Sequence, residues 1–540
     1  MPFDKTHIIG LIQSYPFIKR VTDKGGTDYS WVIEILFSIE GGETLSFDMI
    51  VFWTKSPMQC AEESPVHFFN GDLIEYPHIM LDGHVCLHTP QCVTWDDRIK
   101  AEIEAVYQWI ERYYEGKQVG DEHYEDIVIE TSPVRGRGVQ FYYTQLGRMP
   151  QAGDYGKVAY SQLAANMIDS KPIDTYIVNE IVWTNGEKSQ CEWSSAYQSG
   201  QKSEGLFVML NGCPAEHKKF ACSTYDGLEG LCTDEQLRYL YRILYKDKRN
   251  MPIFWGYTTP KGKLRWLVTY PQERFLVENK QDGGKKHTRP KVLRAKMPNV
   301  DSADISYAQF FGRGRFPDAL AEKNILLFGV GALGSGLATA LVRGGVKHIT
   351  LCDYDKKHPG NVCRSEYNFR SGLTKKAVEL KSILEGISPF VEVEIEGKLE
   401  VLKQFSLSNK ADAQLFLNEY DLIFDCAVDG ELMWALEQLR LSTPIVSLSI
   451  SNEAKDLVCA FSPHICEFVN YVSQHAIDAN DGDMFNPEGC WSPTFKASYN
   501  DVQIVLQYAL KYIVKMLSGE IEKKNFTIRE KDSALHIVRW

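Results

Sequence analysis

Residues 323–355 read KNILLFGVGALGSGLATALVRGGVKHITLCDYD, and the order of residue types in this stretch decides the fold of the region around it. The apolar run Ile325–Phe328 has the length of a buried strand, and Gly329, Gly331 and Gly334 follow it directly as G-x-G-x-x-G. Small residues at those positions allow a tight turn and let a phosphate approach the N-terminus of the helix that begins there. A second strand, HITLC, runs into Asp353, 19 residues after Gly334, where a carboxylate can accept a ribose hydroxyl. Asn324–Val342 carries no charge and is long enough to suggest a membrane helix. Its glycines at 329, 331, 334 and 336 and its charged flanks argue instead for strand, turn and buried helix. Taken alone, these features fit NAD as well as ATP.

Outward from this stretch, the helical pattern LTKKAVELKSILEGI (373–387) and the strand YDLIFDCAVDG (420–430) continue the alternation of strand and helix. Residues 296–540 are therefore expected to form a parallel, doubly wound, Rossmann-like sheet. The pattern NDVQIVLQYALKYIVKML (500–517) is apolar over most of its circumference, which predicts a buried helix. At the other end, WVIEILFSIE (31–40) and ETLSFDMIVFW (43–53) alternate as strands do. In IKAEIEAVYQWIERYY (99–114), Ile99, Ile103, Val106, Ile110 and Tyr113 recur at helical spacing. Residues 1–120 read as an α+β module. Residues 121–295, with strand-like runs at 254–259 and 264–270 and a helix at 234–246, read as an α/β intermediate domain ending in the polar, basic stretch 278–298, a linker or exposed loop. The expected class is thus multidomain α/β.

The 540 residues suggest three or four domains, and 44% hydrophobic with 24% charged residues excludes disorder. Lys+Arg 59 against Asp+Glu 71 gives 59 − 71 = −12, which disfavours a nucleic-acid or anionic-membrane coat, so neither partner is expected. The 13 cysteines are odd in number and include no C-x-x-C, so neither a disulfide framework nor a structural zinc site is signalled. Reduced thiols and no export signal in MPFDKTHIIG point to the cytoplasm. Cys352, Cys426 and Cys459 lie in apolar strands and are expected in the core.

The continuation DYDKKHPGNVCR, with Asp353, Asp355, Asn361 and Arg364, followed by GLTKKA with Lys375 and Lys376, resembles the ThiF/MoeB/ubiquitin-activating adenylation family. The resemblance implies ATP and Mg²⁺: attack of a carboxylate on the α-phosphate needs cations to neutralise spreading charge. It implies that Asp353 holds the ribose, that Asn361 and Arg364 engage phosphates, and that Asp429 is the Mg²⁺-linked aspartate. The phosphate lysine is Lys375 by spacing from Gly372 or Lys376 by its Lys-Ala context, and both stay open. Arg313 and Arg315, in FFGRGRF, resemble the arginine segment that this family donates across a homodimer to the partner's ATP.

Two cysteines have chemical surroundings. Cys490, in NPEGCWSPTF, lies in a Gly/Pro-flanked loop before the last helix, where a helix dipole would favour thiolate. In ubiquitin-activating enzymes a cysteine in this region takes the acyl group from AMP. Cys86 lies in YPHIMLDGHVCLHTPQCVTW, which resembles the active-site stretch of ubiquitin-conjugating enzymes, with H-P-N falling on Tyr76, Pro77 and His78, and Gly83, Val85, Leu87 and Trp95 in place. The family's oxyanion-supporting asparagine is His78 here. That histidine can donate a hydrogen bond, act as a base, or serve structure only. Cys92 is close enough in sequence for a regulatory disulfide with Cys86, which a reduced cell disfavours.

An N-terminal conjugating-like module fused to a C-terminal activating-like one resembles the ubiquitin-transferase-like proteins of bacterial antiviral CBASS operons. The resemblance implies a protein substrate with an activatable C-terminus, a cyclic-nucleotide synthase or a ubiquitin-like protein. Its path is adenylation, thioesters on Cys490 and then Cys86, and transfer to an amine. The alternatives are a sulfur-carrier adenylyltransferase, an NAD-dependent oxidoreductase, and a non-enzymatic binding module.

Overall fold

The computed structural model describes residues 3–59, 64–116, 127–217, 219–222, 225–247, 251–259, 261–270, 277–282, 285–290, 299–397, 410–477, 484–485 and 494–540. Among them the chain builds three sheets of four or more strands, each with its own core.

The N-terminal sheet is an antiparallel meander of Ile18–Gly26, Trp31–Ser38, Thr44–Val51 and Val66–Phe69. Period-2 alternation sends Trp31, Ile33, Ile35 and Phe37 to one face, where all are fully buried. The helix Trp95–Trp109 covers that face with Ile99, Ile103 and Val106, as their spacing predicts. Its start is specified locally: the Thr94 side chain accepts from Asp97 N, and Asp96 and Asp97 favour the positive end of the dipole. Inside this module Arg98 and Glu102 form a fully buried ion pair, 3.1 Å apart. Arg98 also donates to the carbonyls of Pro57 and Gln59, and Glu102 accepts from Ser64 and Thr89.

In the intermediate segment strands dominate. Gly138–Tyr143, Asn299–Asp304, Leu264–Thr269, Ile253–Thr258, Lys202–Met209, Tyr155–Ile168 and Lys171–Trp183 pair in that order, and Lys171–Trp183 pairs back onto Gly138–Tyr143, closing a seven-stranded ring. Phe207 and Met209 point inward beside Phe141, Phe254 and Trp266. Leu206 and Val208 point outward against Leu240 of the helix Asp234–Asp247. The ring takes in Asn299–Asp304, past residue 295. The polar stretch expected as a linker contains the antiparallel pair Val277–Asp282 and Lys285–Pro290.

The C-terminal sheet runs Glu392–Ile395, His348–Cys352, Asn324–Phe328, Leu422–Asp425, Ile445–Ser451, Asp456–Phe461, Phe526–Lys531 and Ala534–Arg539. The first five strands are parallel, as expected. The last three add to the sheet as antiparallel neighbours. Ile325 and Leu327 face the helices Ala332–Arg343, Lys376–Ile387 and Tyr499–Leu517; Leu326 and Phe328 face Lys410–Leu417, Gly430–Leu439 and Ile465–His475. The sheet is thus doubly wound. Cys352, Cys426 and Cys459 are buried in it, as expected. No helix among the described residues is long and apolar enough to cross a membrane.

Candidate functional site

Ligands of open α/β sheets bind beyond the C-terminal ends of the parallel strands, and the glycine turn lies there. Each glycine has a separate reason. Gly329 sits at φ 74°, and a Cβ on it would come 2.5 Å from the Ala427 backbone; at Gly334 a Cβ would lie 1.9 Å from the Gly329 carbonyl oxygen. These two glycines serve the fold. Among the described residues a Cβ at Gly331 would meet nothing within 4 Å and no side chain caps the first turn of the helix Ala332–Arg343, which this residue heads. Open space over uncapped N–H groups is what a phosphate needs.

Val330 is held at both ends, its N–H by Asp353 Oδ2 at 2.8 Å and its carbonyl by the Tyr367 hydroxyl. The other Asp353 oxygen accepts from Asp355 N at 2.8 Å. Burial pushes the Asp353 carboxyl above the usual carboxylate range, against the pull of these N–H groups. A carboxylate has lone pairs beyond the two used here, so it can still accept a ribose hydroxyl. Asp355 carries the sequence onward: its carboxylate pairs with Lys376 Nζ at 2.7 Å, and its carbonyl accepts from Lys376 N at 3.0 Å. Lys375, by contrast, is exposed at the start of that helix.

The other expected residues are more dispersed. Asn361 accepts from His358 N at 2.7 Å, which closes the turn Pro359–Arg364, and Arg364 donates to the carbonyl of Phe495. Asp429 follows the strand Leu422–Asp425 and caps the helix Gly430–Leu439 through Glu431 N and Leu432 N. Arg313 is exposed. Arg315 is committed within its own chain, to Asp318 at 2.5 Å, to Glu322, and to the Tyr307 hydroxyl at 3.0 Å. Sequence reasoning missed Asp425. Its carboxyl accepts from Ala427 N at 3.1 Å and Ser447 Oγ at 2.9 Å, and burial pushes it up to about 6.

The described residues contain no ready-made group of three metal ligands.

In the N-terminal module, Cys86 is partly exposed and its N–H donates to the His78 carbonyl at 2.7 Å. The segment between them is a tight hairpin, with Ile79 opposite Val85 and Met80 N bonded to the His84 carbonyl at 2.8 Å. Gly83, at φ 86°, packs so closely on Gly71 that a Cβ would come within 2.9 Å of its Cα. His78 itself has φ 62°, and its Nε2 lies 3.1 Å from the Tyr113 hydroxyl. The π-helical segment Ile110–Glu115 that continues the helix Trp95–Trp109 supplies Tyr113, and one turn earlier Trp109 donates its indole N–H to the Pro77 carbonyl at 2.8 Å. Cys86 and Cys92 are not joined in a disulfide. Cys490 lies outside the described residues.

Residues 304–451 match the ThiF family. Over 220 residues the chain is 26% identical to the ATP-dependent ubiquitin transferase-like protein Cap2 of Enterobacter hormaechei, covering 38% of this chain and 35% of that protein. Over 139 residues it is 32% identical to ubiquitin-like modifier-activating enzyme 5 of Culex quinquefasciatus, covering 25% of this chain and 34% of that enzyme. The chain thus spans about a third of the length of these curated relatives. A crystal structure of E. coli MccB with AMPCPP and MccA covers 41% of this chain and 64% of that one, at 14% identity and a TM-score of 0.30. Residues 304–451 are therefore a ThiF-family domain.

Proposed function

We propose that this chain is an ATP-dependent transferase that activates the C-terminal carboxylate of a protein and conjugates it to an amine. One observation carries the reading: the open space at Gly331 lies in the turn that hydrogen-bonds Asp353, which Asp355 connects to the Lys375–Lys376 pair. Hydride transfer leaves those lysines without a task. The likeness to a protein described as ATP-dependent and ubiquitin transferase-like supports ATP over NAD.

In the first step a carboxylate oxygen attacks the α-phosphorus of ATP. The bond to the β-phosphate breaks, and pyrophosphate leaves. Asp353 orients the ribose, and Lys375 or Lys376 with Arg364 and Asn361 offsets the phosphate charge; Arg313 and Arg315 of a second protomer are the further cations of this reading. When bound, Mg²⁺ supplies Lewis-acid neutralisation of that charge, with Asp429 as its protein ligand. The Cys490 thiolate then attacks the acyl carbon and expels AMP. The Cys86 thiolate takes the acyl group from Cys490, whose thiolate leaves. An amine finally displaces the Cys86 thiolate and loses its proton to His78 or to water, with His78 as donor to the oxyanion in its alternative role. The substrate class is the tail of a cyclic-nucleotide synthase, as in CBASS relatives, or of a ubiquitin-like protein, and the working form is a cytoplasmic homodimer. A sulfur-carrier adenylyltransferase would use the same nucleotide site but leaves the Cys86 hairpin without a role.

ATP–pyrophosphate exchange driven by a candidate tail tests the first step. Thiol-sensitive adducts lost in Cys490→Ala, with a second pool lost in Cys86→Ala, are expected for the relay; conjugation that survives without either thiol would sink it.

A further inference from the structure

Three successive carbonyls of the turn facing Cys86 are each taken by a different donor. Tyr76 O accepts from Lys219 Nζ, with a longer bond of 3.4 Å from Ile79 N, Pro77 O accepts from Trp109 Nε1 at 2.8 Å, and His78 O from Cys86 N at 2.7 Å. Between them His78 is kept at φ 62°, a left-handed conformation that a non-glycine residue holds only where its surroundings over-determine it. Trp109 and Cys86 belong to the same module as the turn. Lys219 does not: it stands 143 residues beyond Tyr76, in the intermediate segment.

Lys219 is fixed and nearly dry. Its carbonyl accepts from Val128 N at 2.7 Å, and the next residue, Phe220, bridges to Val128. The residue is 4% exposed, with the Phe220 ring 5.4 Å from the ammonium. Burial lowers its pKa to about 8, and the Glu75 carboxylate pulls it back up. Glu75 in turn pairs with His217 Nδ1 at 2.5 Å, a second bond from the same segment to the same turn. A charge buried this deeply is retained only where a specific partner holds it, and the partner here is the carbonyl that begins the turn.

We propose that Lys219 is a positioning residue for the Cys86 thiol. By holding Tyr76 O it locks the Tyr76–His78 turn, and the His78 carbonyl then fixes the Cys86 amide. The use of that lock in acyl transfer rests on the thioester reading of Cys86; the lock itself does not. The intermediate barrel thereby gains a function, as the outer jaw on the conjugating-like module.

The test uses the full-length protein as wild type, Lys219→Met and Lys219→Arg. Amide hydrogen exchange resolved to residues 78–87 reads the lock directly. Lys219→Met is expected to speed exchange at Cys86 by about tenfold, the scale of a lost charge-assisted hydrogen bond. Exchange in Trp31–Ser38 should not change, and Lys219→Arg should recover most of the protection. If the Cys86 thioester forms, its discharge to free lysine should fall in kcat with KM unchanged and recover in Lys219→Arg. Cys191, buried in the barrel, serves as sentinel: its alkylation in Lys219→Met would show that the barrel has opened, and Lys219→Gln, which keeps an amide donor, then takes the place of methionine. Unchanged Cys86 exchange with Cys191 protected would overturn the proposal. A wild type that never charges Cys86 would overturn the thioester reading and leave the exchange result to judge the lock.

Discussion

Alanine at Gly331 and alanine at Gly334 add the same methyl group three residues apart on one turn, and they are expected to damage different properties. At Gly334 the new Cβ would lie 1.9 Å from the Gly329 carbonyl oxygen and 3.3 Å from Cys426 Cβ, so the nearest obstacle is backbone and cannot rotate away. Relief requires the helix Ala332–Arg343 to lift off the strand Asn324–Phe328, both of them core elements. Overpacking of this kind costs up to about 3 kcal/mol. For a domain of this size that is a fall in Tm of roughly 6–12 °C. Gly331 has φ −69° and ψ −148°, and among the described residues nothing lies within 4 Å of its Cβ position. Its fold cost is the loss of a favourable helix cap, about 0.5 kcal/mol. What the methyl does fill is the space over the helix N-terminus, so ATP should bind at least about tenfold more weakly through lost phosphate contact. Differential scanning fluorimetry and calorimetric ATP titration of the two variants separate the effects. Gly331→Ala binding ATP like the wild type would refute the phosphate site, and a Tm loss in Gly331→Ala equal to that of Gly334→Ala would refute the division of labour.

The Asp425 carboxyl, raised by burial from 3.8 to about 6, favours the protonated form in the fold. Its stabilisation is full below the unfolded value, is lost as pH rises through about 6, and is absent at pH 8. Asp425→Asn should therefore raise Tm at pH 8 by a few degrees, with the gain vanishing near pH 4; equal melting at pH 8 would contradict the assignment. Arg98→Met strands Glu102 in the core of the N-terminal module and should cost about 3–5 kcal/mol in urea unfolding, whereas a loss below about 1 kcal/mol would mean that water reaches the pair. Arg315→Ala should lower Tm because it removes the bonds to Asp318, Glu322 and Tyr307. Arg313→Ala should leave Tm alone, and if it serves a partner's ATP it slows ATP–pyrophosphate exchange; a melting loss in Arg313→Ala would place it in the fold instead.

The ThiF domain was legible because its signals are contiguous: strand, glycine turn, helix and Asp353 fall within 31 residues, from 323 to 353, and each is specified by its neighbours. The barrel was not. Its closure depends on Gly138–Tyr143 pairing with both Lys171–Trp183 and Asn299–Asp304, and no local period reports which distant strand a strand will meet. Around 278–298 the basic composition suggested a linker, yet Asp-Gly-Gly-Lys between two polar runs is also a hairpin signal, and backbone pairing followed the turn chemistry. Arg315 shows a different limit. The motif marks it as a candidate for a partner protomer's ATP, and Asp318 and Glu322, three and seven residues on, also tie it within its own chain.

The barrel meets the N-terminal module at Glu75 and Tyr76 through His217 and Lys219. It meets the ThiF domain at the turn after the helix Lys376–Ile387: Ser195 holds Glu392 with two bonds of 2.6 and 2.7 Å, Ser194 N donates to Pro389 O, and Trp193 packs on Phe390. The two contacts fall next to the Cys86 turn on one side and at the far end of the helix that begins with Lys376 on the other. In the proposed relay an acyl group passes between these two modules. Altering the span between the two contacts should therefore slow transfer from Cys490 to Cys86 while leaving ATP–pyrophosphate exchange untouched, and the double variant Ser195→Ala, Tyr197→Phe, which loosens the barrel from Glu392 and from the Glu385 carbonyl, is the mildest way to alter it. Wild-type rates for both half-reactions in that variant would mean that the modules meet without help from the barrel.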